Sequence, residues 1–273
     1  MFQPVARKSK TSGGFAMLEL IFHAAVRNIR KSHGNAIWGL LVSIIQSLIM
    51  VLVFLVMMTL LGMRSNAIRG DYLLYIMSGV FMYMTHSKTL QAVARCDGPT
   101  SSMMKHAPMN VIVAIAAAAL AALYQQVLSA AVILYFYHVV ITPISIDQPV
   151  GMMAMFLLSW ASGIAIGMVF KAATPWAPDF FGILTTIYAR ANMIASGKMF
   201  VANTMPTSTL AFFDWNPLFH TIDQGRGFIF LNYNPHYTSI GYPLKLTLIL
   251  MLLGLMGESY TRKYASLSWG ARG

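Results

Sequence analysis

The sequence predicts an all-α polytopic membrane protein, and three observations lead there. Of the 273 residues, 57% are hydrophobic and only 10% charged, and the mean hydropathy is +0.63; a soluble domain carries about 25% charged residues. Apolar runs that reach the roughly 20 residues a helix needs to cross a bilayer recur along the chain. The polar stretches between them are short and hold most of the Lys and Arg. A net charge of +11 fits basic cytoplasmic loops, and no basic-aromatic motif for nucleic acid accompanies it. Cys96 is the single cysteine, so neither an intramolecular disulfide nor a thiolate metal cluster is expected.

Residues 1–16 read as a flexible basic tail with Arg7, Lys8 and Lys10. Over 17–33, Glu19, His23, Arg27, Arg30 and Lys31 recur every three or four residues, and Leu18, Ile21, Phe22, Ala25, Val26 and Ile29 fill the opposite face. That 3.6-residue period predicts an amphipathic helix lying in the membrane interface. The first apolar run starts too late and runs too long for a cleaved signal, so it is expected to stay as the first span. Six spans follow, at about 36–61, 72–93, 111–140, 150–170, 180–201 and 240–257. In the fourth, Ser159, Gly163 and Gly167 stand four residues apart, a spacing of small residues that lets helices approach closely. The fifth is the least apolar, with Arg190, Asn192 and Lys198.

Residues 203–239 are too polar for a span and too apolar for a solvated loop. Ala211-Phe212-Phe213, Leu218-Phe219 and Phe228-Ile229-Phe230-Leu231 surround Asp214-Trp215-Asn216-Pro217. Such a segment suggests short helices dipping into the bilayer, because irregular backbone survives there only under protein cover or beside a cavity. Asn216 can cap a helix that begins at Pro217. On that helix Leu218, Phe219 and Ile222 share a face, and Asp223 and Arg226 stand three residues apart, close enough to pair.

The distribution of Lys and Arg orients the chain. With cytoplasmic termini, the N-terminal region through the amphipathic helix (Arg7, Lys8, Lys10, Arg27, Arg30, Lys31), the second-to-third connection (Lys88, Arg95, Lys105), the fourth-to-fifth connection (Lys171) and the stretch after the last span (Arg262, Lys263, Arg272) hold most of the basic residues. The insertion then lies outside, with Lys198 and Lys245 free to snorkel to the outer interface. Arg190 is the deep cation, about 16 Å along the helix from Asp179 and near mid-bilayer. At about 2.5–3.5 kcal/mol for a lone Arg at that depth, it must meet backbone carbonyls or a neighbouring helix, or line a path for a polar or anionic substrate.

Several chemistries find no motif. Gly197-Lys198 lacks the earlier Gly and the following Ser or Thr of a phosphate loop, so ATP is not bound that way. Ser196 with His220 as base would need an oxyanion site for which no element is visible. The seven histidines show no zinc spacing. A secondary transporter would need ion-coupling carboxylates at mid-membrane, and a membrane enzyme for lipid-linked glycans would draw on Asp214, His220 and Asp223.

The order Ser196-Gly197-Lys198-Met199-Phe200, Met205-Pro206, Trp215-Asn216-Pro217-Leu218-Phe219-His220, Asp223, Arg226, Asn232-Tyr233 resembles the membrane subunits of ABC-2 type exporters. The resemblance spans about residues 17–265, is strongest in the last third, and is closest to capsular polysaccharide exporters of Gram-negative bacteria. Lys198 departs from it, standing where the family usually has an apolar residue.

The resemblance implies a transmembrane domain over 34–265, a cytoplasmic tail over 266–273, and a multi-pass protein of the bacterial inner membrane. It also implies a homodimer paired with two copies of an ATP-binding subunit, so that ATP is hydrolysed on the partner and this chain is not itself the enzyme. The implied cargo is a lipid-linked polysaccharide, capsular or else O-antigen or another glycan of the same family, with room for periplasmic and outer-membrane export partners. Thr100, Ser101, Met104, Lys105, His106 and Pro108 become the candidates for coupling to the ATPase. Trp215, Asn216, Pro217, Phe219, His220, Asp223 and Arg226 become candidates for an outer gate, or for a cap on the bundle.

Overall fold

In the computed structural model, which describes residues 10–31, 35–60, 62, 68, 70–96 and 111–264, every regular element among the described residues is helical. The long helices are α1 (Lys10–Lys31), α2 (Ala36–Leu60), α3 (Tyr72–Ala94), α4 (Val111–Val140), α5 (Pro149–Ala173), α6 (Pro178–Ala195), α8 (Pro217–Ile229) and α9 (Gly241–Tyr264), with one short turn, α7 (Thr207–Leu210). Four of them contain a stretch long and apolar enough to cross a membrane: Ile37–Leu60, Val111–Val140, Pro149–Trp176 and Gly241–Tyr264. The chain is therefore an all-helical membrane protein with four such helices among its described residues.

The two other expected spans fall on α3 and α6, which are less apolar for different reasons. Helix α3 runs through the centre, packed by α2, α4, α5 and α8. From Leu74 to Ser87 every residue is buried, so protein and not lipid is its solvent. Of the polar side chains buried there, Thr85 and one ring nitrogen of His86 find hydrogen-bond partners, while Ser87 Oγ and Thr89 Oγ1 find none among the described residues. Thr85 donates to the Phe81 carbonyl at 2.8 Å, and His86 Nδ1 lies 2.8 Å from Ser162 Oγ on α5. Asp71 caps the helix by accepting from the Leu73 amide at 2.9 Å, and the Tyr137 hydroxyl at the end of α4 donates to its other carboxylate oxygen. Helix α6, by contrast, is peripheral and buries only Thr185, Ala189 and Asn192.

Close approach between α3 and α5 explains the small residues of the fourth span. A Cβ on Gly163 would fall 2.6 Å from the His86 carbonyl oxygen, and one on Gly167 would fall 2.8 Å from that of Leu90. Ser159, the third member of the row, donates to Thr221 Oγ1 on α8 at 3.0 Å. The same face therefore packs one helix and fastens another. On the other side, α2 turns Ser43, Ser47, Val51, Phe54 and Met58 inward. Ser43 Oγ accepts from Gln126 at 3.3 Å and from Ser129 at 3.1 Å on α4, the kind of interhelical hydrogen bond that joins helices in lipid.

Several expected boundaries shift. The amphipathic helix begins at Lys10, within the stretch read as a tail. It packs Ala24, Ala25 and Ile29 on Ala117 and Ala121 of α4 and leaves Met17, Leu18 and Phe22 exposed. Helix α6 stops at Ala195, short of the expected 201, because Gly197 takes a φ of +70° and turns the chain. Helix α9 continues past the expected 257 to Tyr264. The coupling candidates Thr100, Ser101, Met104, Lys105, His106 and Pro108 lie outside the described residues.

Candidate functional site in the insertion before the last helix

The segment from Ser196 to Ser239 wraps α8, and α8 lies against α3, α5 and α9. Nearly all of α8 is buried, so what the sequence presents as a half-polar loop is a helix enclosed by its neighbours. Its start follows local rules. Asn216 is in extended backbone, its Oδ1 accepts from the Leu218 amide at 3.0 Å, and Pro217 takes the first helical position, where no amide is needed. The same side chain reaches back to α6: Asn216 Nδ2 donates to Asn192 Oδ1 at 2.6 Å and to the Ala195 carbonyl at 2.9 Å. One residue thus caps one helix and ties it to the end of another.

Phe219 fills the space over the turn that ends α6. A Cβ on Gly197 would lie 2.3 Å from the Phe219 ring, so both the positive φ and the contact call for glycine. Around Phe219 stand Phe213, with ring centroids 6.0 Å apart, and Ala202 and Leu210. Phe219 is 1% exposed and belongs to the interior of its own chain. Trp215 differs: it is exposed, and its carbonyl accepts from the Tyr242 hydroxyl at 2.6 Å.

His220 has both ring nitrogens in use. The Ser239 amide donates to Nδ1 at 3.1 Å, which fixes Nδ1 as the acceptor and places the proton on Nε2. Nε2–H then donates to the Asp214 carbonyl at 2.7 Å, with the Asp214 carboxylate at 3.1 Å. The imidazole ties the entry of α8 to the entry of α9. It is thus unavailable as a base for Ser196, and Asp214 is the only carboxylate within ion-pair reach of it among the described residues.

Asp223 and Arg226 do not form the expected pair; ion pairs among the described residues are confined to His23–Glu19 and His220–Asp214. Each is instead drawn to a different strand of the insertion. The Asp223 carboxylate accepts from the Tyr233 hydroxyl at 2.5 Å, Thr238 Oγ1 at 2.8 Å and the Ala202 amide at 3.4 Å. Burial, and then the Asp223 charge, push the Tyr233 hydroxyl well above its ordinary range, so it stays a donor at any physiological pH. Arg226 lies 4.0 Å from the Tyr75 ring centroid on α3. It donates to the carbonyls of Gly197 at 3.1 Å, Lys198 at 2.5 Å and Phe200 at 2.6 Å. Three carbonyls of the turn thereby converge on one guanidinium, whose fork of donors suits several acceptors at once.

Lys198 is a second correction. It does not snorkel: it is 2% exposed, with Nζ 3.3 Å from the Tyr83 ring centroid on α3 and 4.3 Å from that of Phe54 on α2. No hydrogen-bond partner reaches that ammonium among the described residues. The aromatic cage was missed because its rings come from helices more than a hundred residues away in the chain. Arg190 stands apart from this cluster. It is exposed on α6, beside Ile183 and Ile187. Among the described residues it meets none of the backbone carbonyls or neighbouring helices that were one expectation for it.

The arrangement is a lock more than a reaction centre. Asn216, Phe219, His220, Asp223 and Arg226 each join α8 to a different piece of the fold, and no group of three metal-ligating side chains occurs among the described residues. Compared with known proteins, no family model and no curated protein matches the chain.

Proposed function

We propose that this chain is the membrane subunit of an ATP-driven exporter of the ABC-2 type, moving a lipid-linked polysaccharide, capsular polysaccharide foremost, across a bacterial inner membrane. The supporting observation is where the residues that carry the resemblance meet. Asn216, His220, Asp223 and Arg226 are scattered among apolar neighbours in the sequence, yet all four are buried and each ties α8, which lies between α3, α5 and α9, to a different piece of the fold. An insertion built so rigidly beside the last helix suits an element that must hold a barrier closed between transport events. On this reading both termini are cytoplasmic, six helices cross, and the insertion re-enters from the outer side. Phe212, Trp215, Leu231 and Tyr237, the large exposed hydrophobic side chains of the insertion, are the ones that face the polymer or a second copy.

ATP enters through a separate subunit, since the chain has no phosphate loop. The polymer passes between two copies, and the stretch from Thr100 to Pro108 transmits nucleotide-driven movement. The test is affinity purification of the tagged full chain from its native membrane, together with deletion of its gene. The expected result is an ATP-hydrolysing subunit recovered in equal amount, and polysaccharide retained in the cytoplasm of the deletion strain. A chain recovered without any ATPase, moving its solute on an ion gradient alone, would make it a secondary transporter and sink the proposal.

A further inference from the structure

Far from the insertion, at the end of the bundle where α3 stops and α4 begins, a cavity of about 500 Å³ opens between α1, α3 and α4. Arg27 of α1 and Lys88 and Arg95 of α3 line it, and among the described residues no Asp or Glu does. Lys88 donates to the neutral Gln46 amide oxygen of α2, a partner that leaves its charge uncompensated. Lys88 and Arg95 are two helical turns apart, so positive charge lines the cavity over about 10 Å. Asn28, Gln91 and Gln125 add neutral groups that can donate hydrogen bonds.

The wall contributed by α4 explains why there is room at all. Ala114, Ala117, Ala118, Ala121 and Ala122 stand on one helix face toward the cavity, at spacings of three and four residues. Any larger side chain there would occupy the volume the cations surround. The helix that closes the other side, α1, leaves Leu18 and Phe22 64% exposed, an apolar surface suited to the acyl chains of a membrane.

We propose that this cavity is a binding site for a phosphate-bearing anion, either the headgroup of an acidic lipid or free phosphate. Basic pockets between membrane helices bind acidic headgroups in this way, and guanidinium forks match phosphate oxygens two at a time. The inference does not depend on the exporter reading and holds for any transport mechanism.

The full chain, purified in neutral detergent, tests it by thermal unfolding with added phosphatidic acid, phosphatidylcholine or inorganic phosphate. Phosphatidic acid is expected to raise Tm and phosphatidylcholine to leave it unchanged. Neutralising Lys88 or Arg95 with Gln should weaken the response about fivefold for each cation removed. Ala118→Leu should abolish it with no change of charge. If millimolar inorganic phosphate displaces the lipid, the phosphate group alone is recognised; lipid that phosphate cannot displace is held by headgroup and chains together. Both results uphold the site. Equal responses of the unmodified chain to the two lipids overturn it, a result that needs no variant to fold, and so does an unchanged response in a folded Ala118→Leu protein.

Discussion

An ammonium ion buried over two aromatic rings gives up its hydration and regains part of it as cation–π attraction, worth about 2 kcal/mol or somewhat more when desolvated. Lys198 is in that position, held over Tyr83 and Phe54 with no hydrogen-bond acceptor at Nζ among the described residues. Burying a charge without a hydrogen-bonded partner costs more than the rings return. Lys198→Met keeps the length of the side chain and its contacts with the rings while removing the charge, and is expected to stabilise the protein by about 1–3 kcal/mol, by analogy with buried ionic groups replaced by apolar ones. Thermal unfolding of the two proteins in the same detergent is the measurement. A variant that unfolds at a lower temperature than the parent would show that the cation–π cage outweighs desolvation. Arg226 is the opposite case, because three carbonyls and a ring repay its burial.

At the scale of the element, α8 is seated by hydrogen bonds that converge on its first turn. Asn216→Ala removes the cap on the Leu218 amide together with the two bonds to Asn192 and Ala195. Losing a cap costs about 1 kcal/mol and each of the two further bonds about 0.5–1.5 kcal/mol, so the variant should lose about 2–4 kcal/mol. Asn216→Ser keeps the capping oxygen and loses the ties to α6, and should fall between the two. Limited proteolysis of residues 203–216 should follow the same order. Equal cleavage of all three proteins would mean that the ties to α6 do not hold the insertion down.

This start of α8 was legible in the sequence because capping depends on neighbours two residues away. The row Ser159, Gly163, Gly167 was legible because close packing leaves a small-residue periodicity. The partners of Asp223 and Arg226 were not. Their spacing allows an ion pair on the helix, and the carbonyls that win Arg226 lie 26 to 29 residues earlier, in a turn set by Gly197. The cage around Lys198 was hidden for the same reason, since a basic residue near the end of an apolar run looks like a side chain bound for the interface. The enclosed character of α3 was likewise unreadable locally, because burial by protein removes the need for the uniform apolarity that lipid imposes.

At the scale of the whole molecule, several of the described helices expose apolar faces, and that of α6 fits lipid poorly. Helix α2 exposes Ile37, Leu41, Ile45, Leu48, Leu52 and Val56, and α9 exposes Leu244, Leu248, Leu252 and Leu255; hydrocarbon chains can cover both. Helix α6 exposes Phe180, Ile183, Ile187 and Ile194, and sets Arg190 among them. If that face met lipid near mid-bilayer, the guanidinium would cost about 2.5–3.5 kcal/mol, and Arg190→Leu would return most of it as added stability. If the face instead meets a second copy or a hydrated path, the charge is already solvated and its removal brings no such gain. With α6 at the seam between two copies of the proposed exporter, Arg190→Leu should leave the stability of the assembly in bilayer nanodiscs within about 0.5 kcal/mol, the size expected for a surface change, while export falls. Added stability in bilayer nanodiscs of about 3 kcal/mol with export intact would put α6 against lipid and move the path between copies to another face.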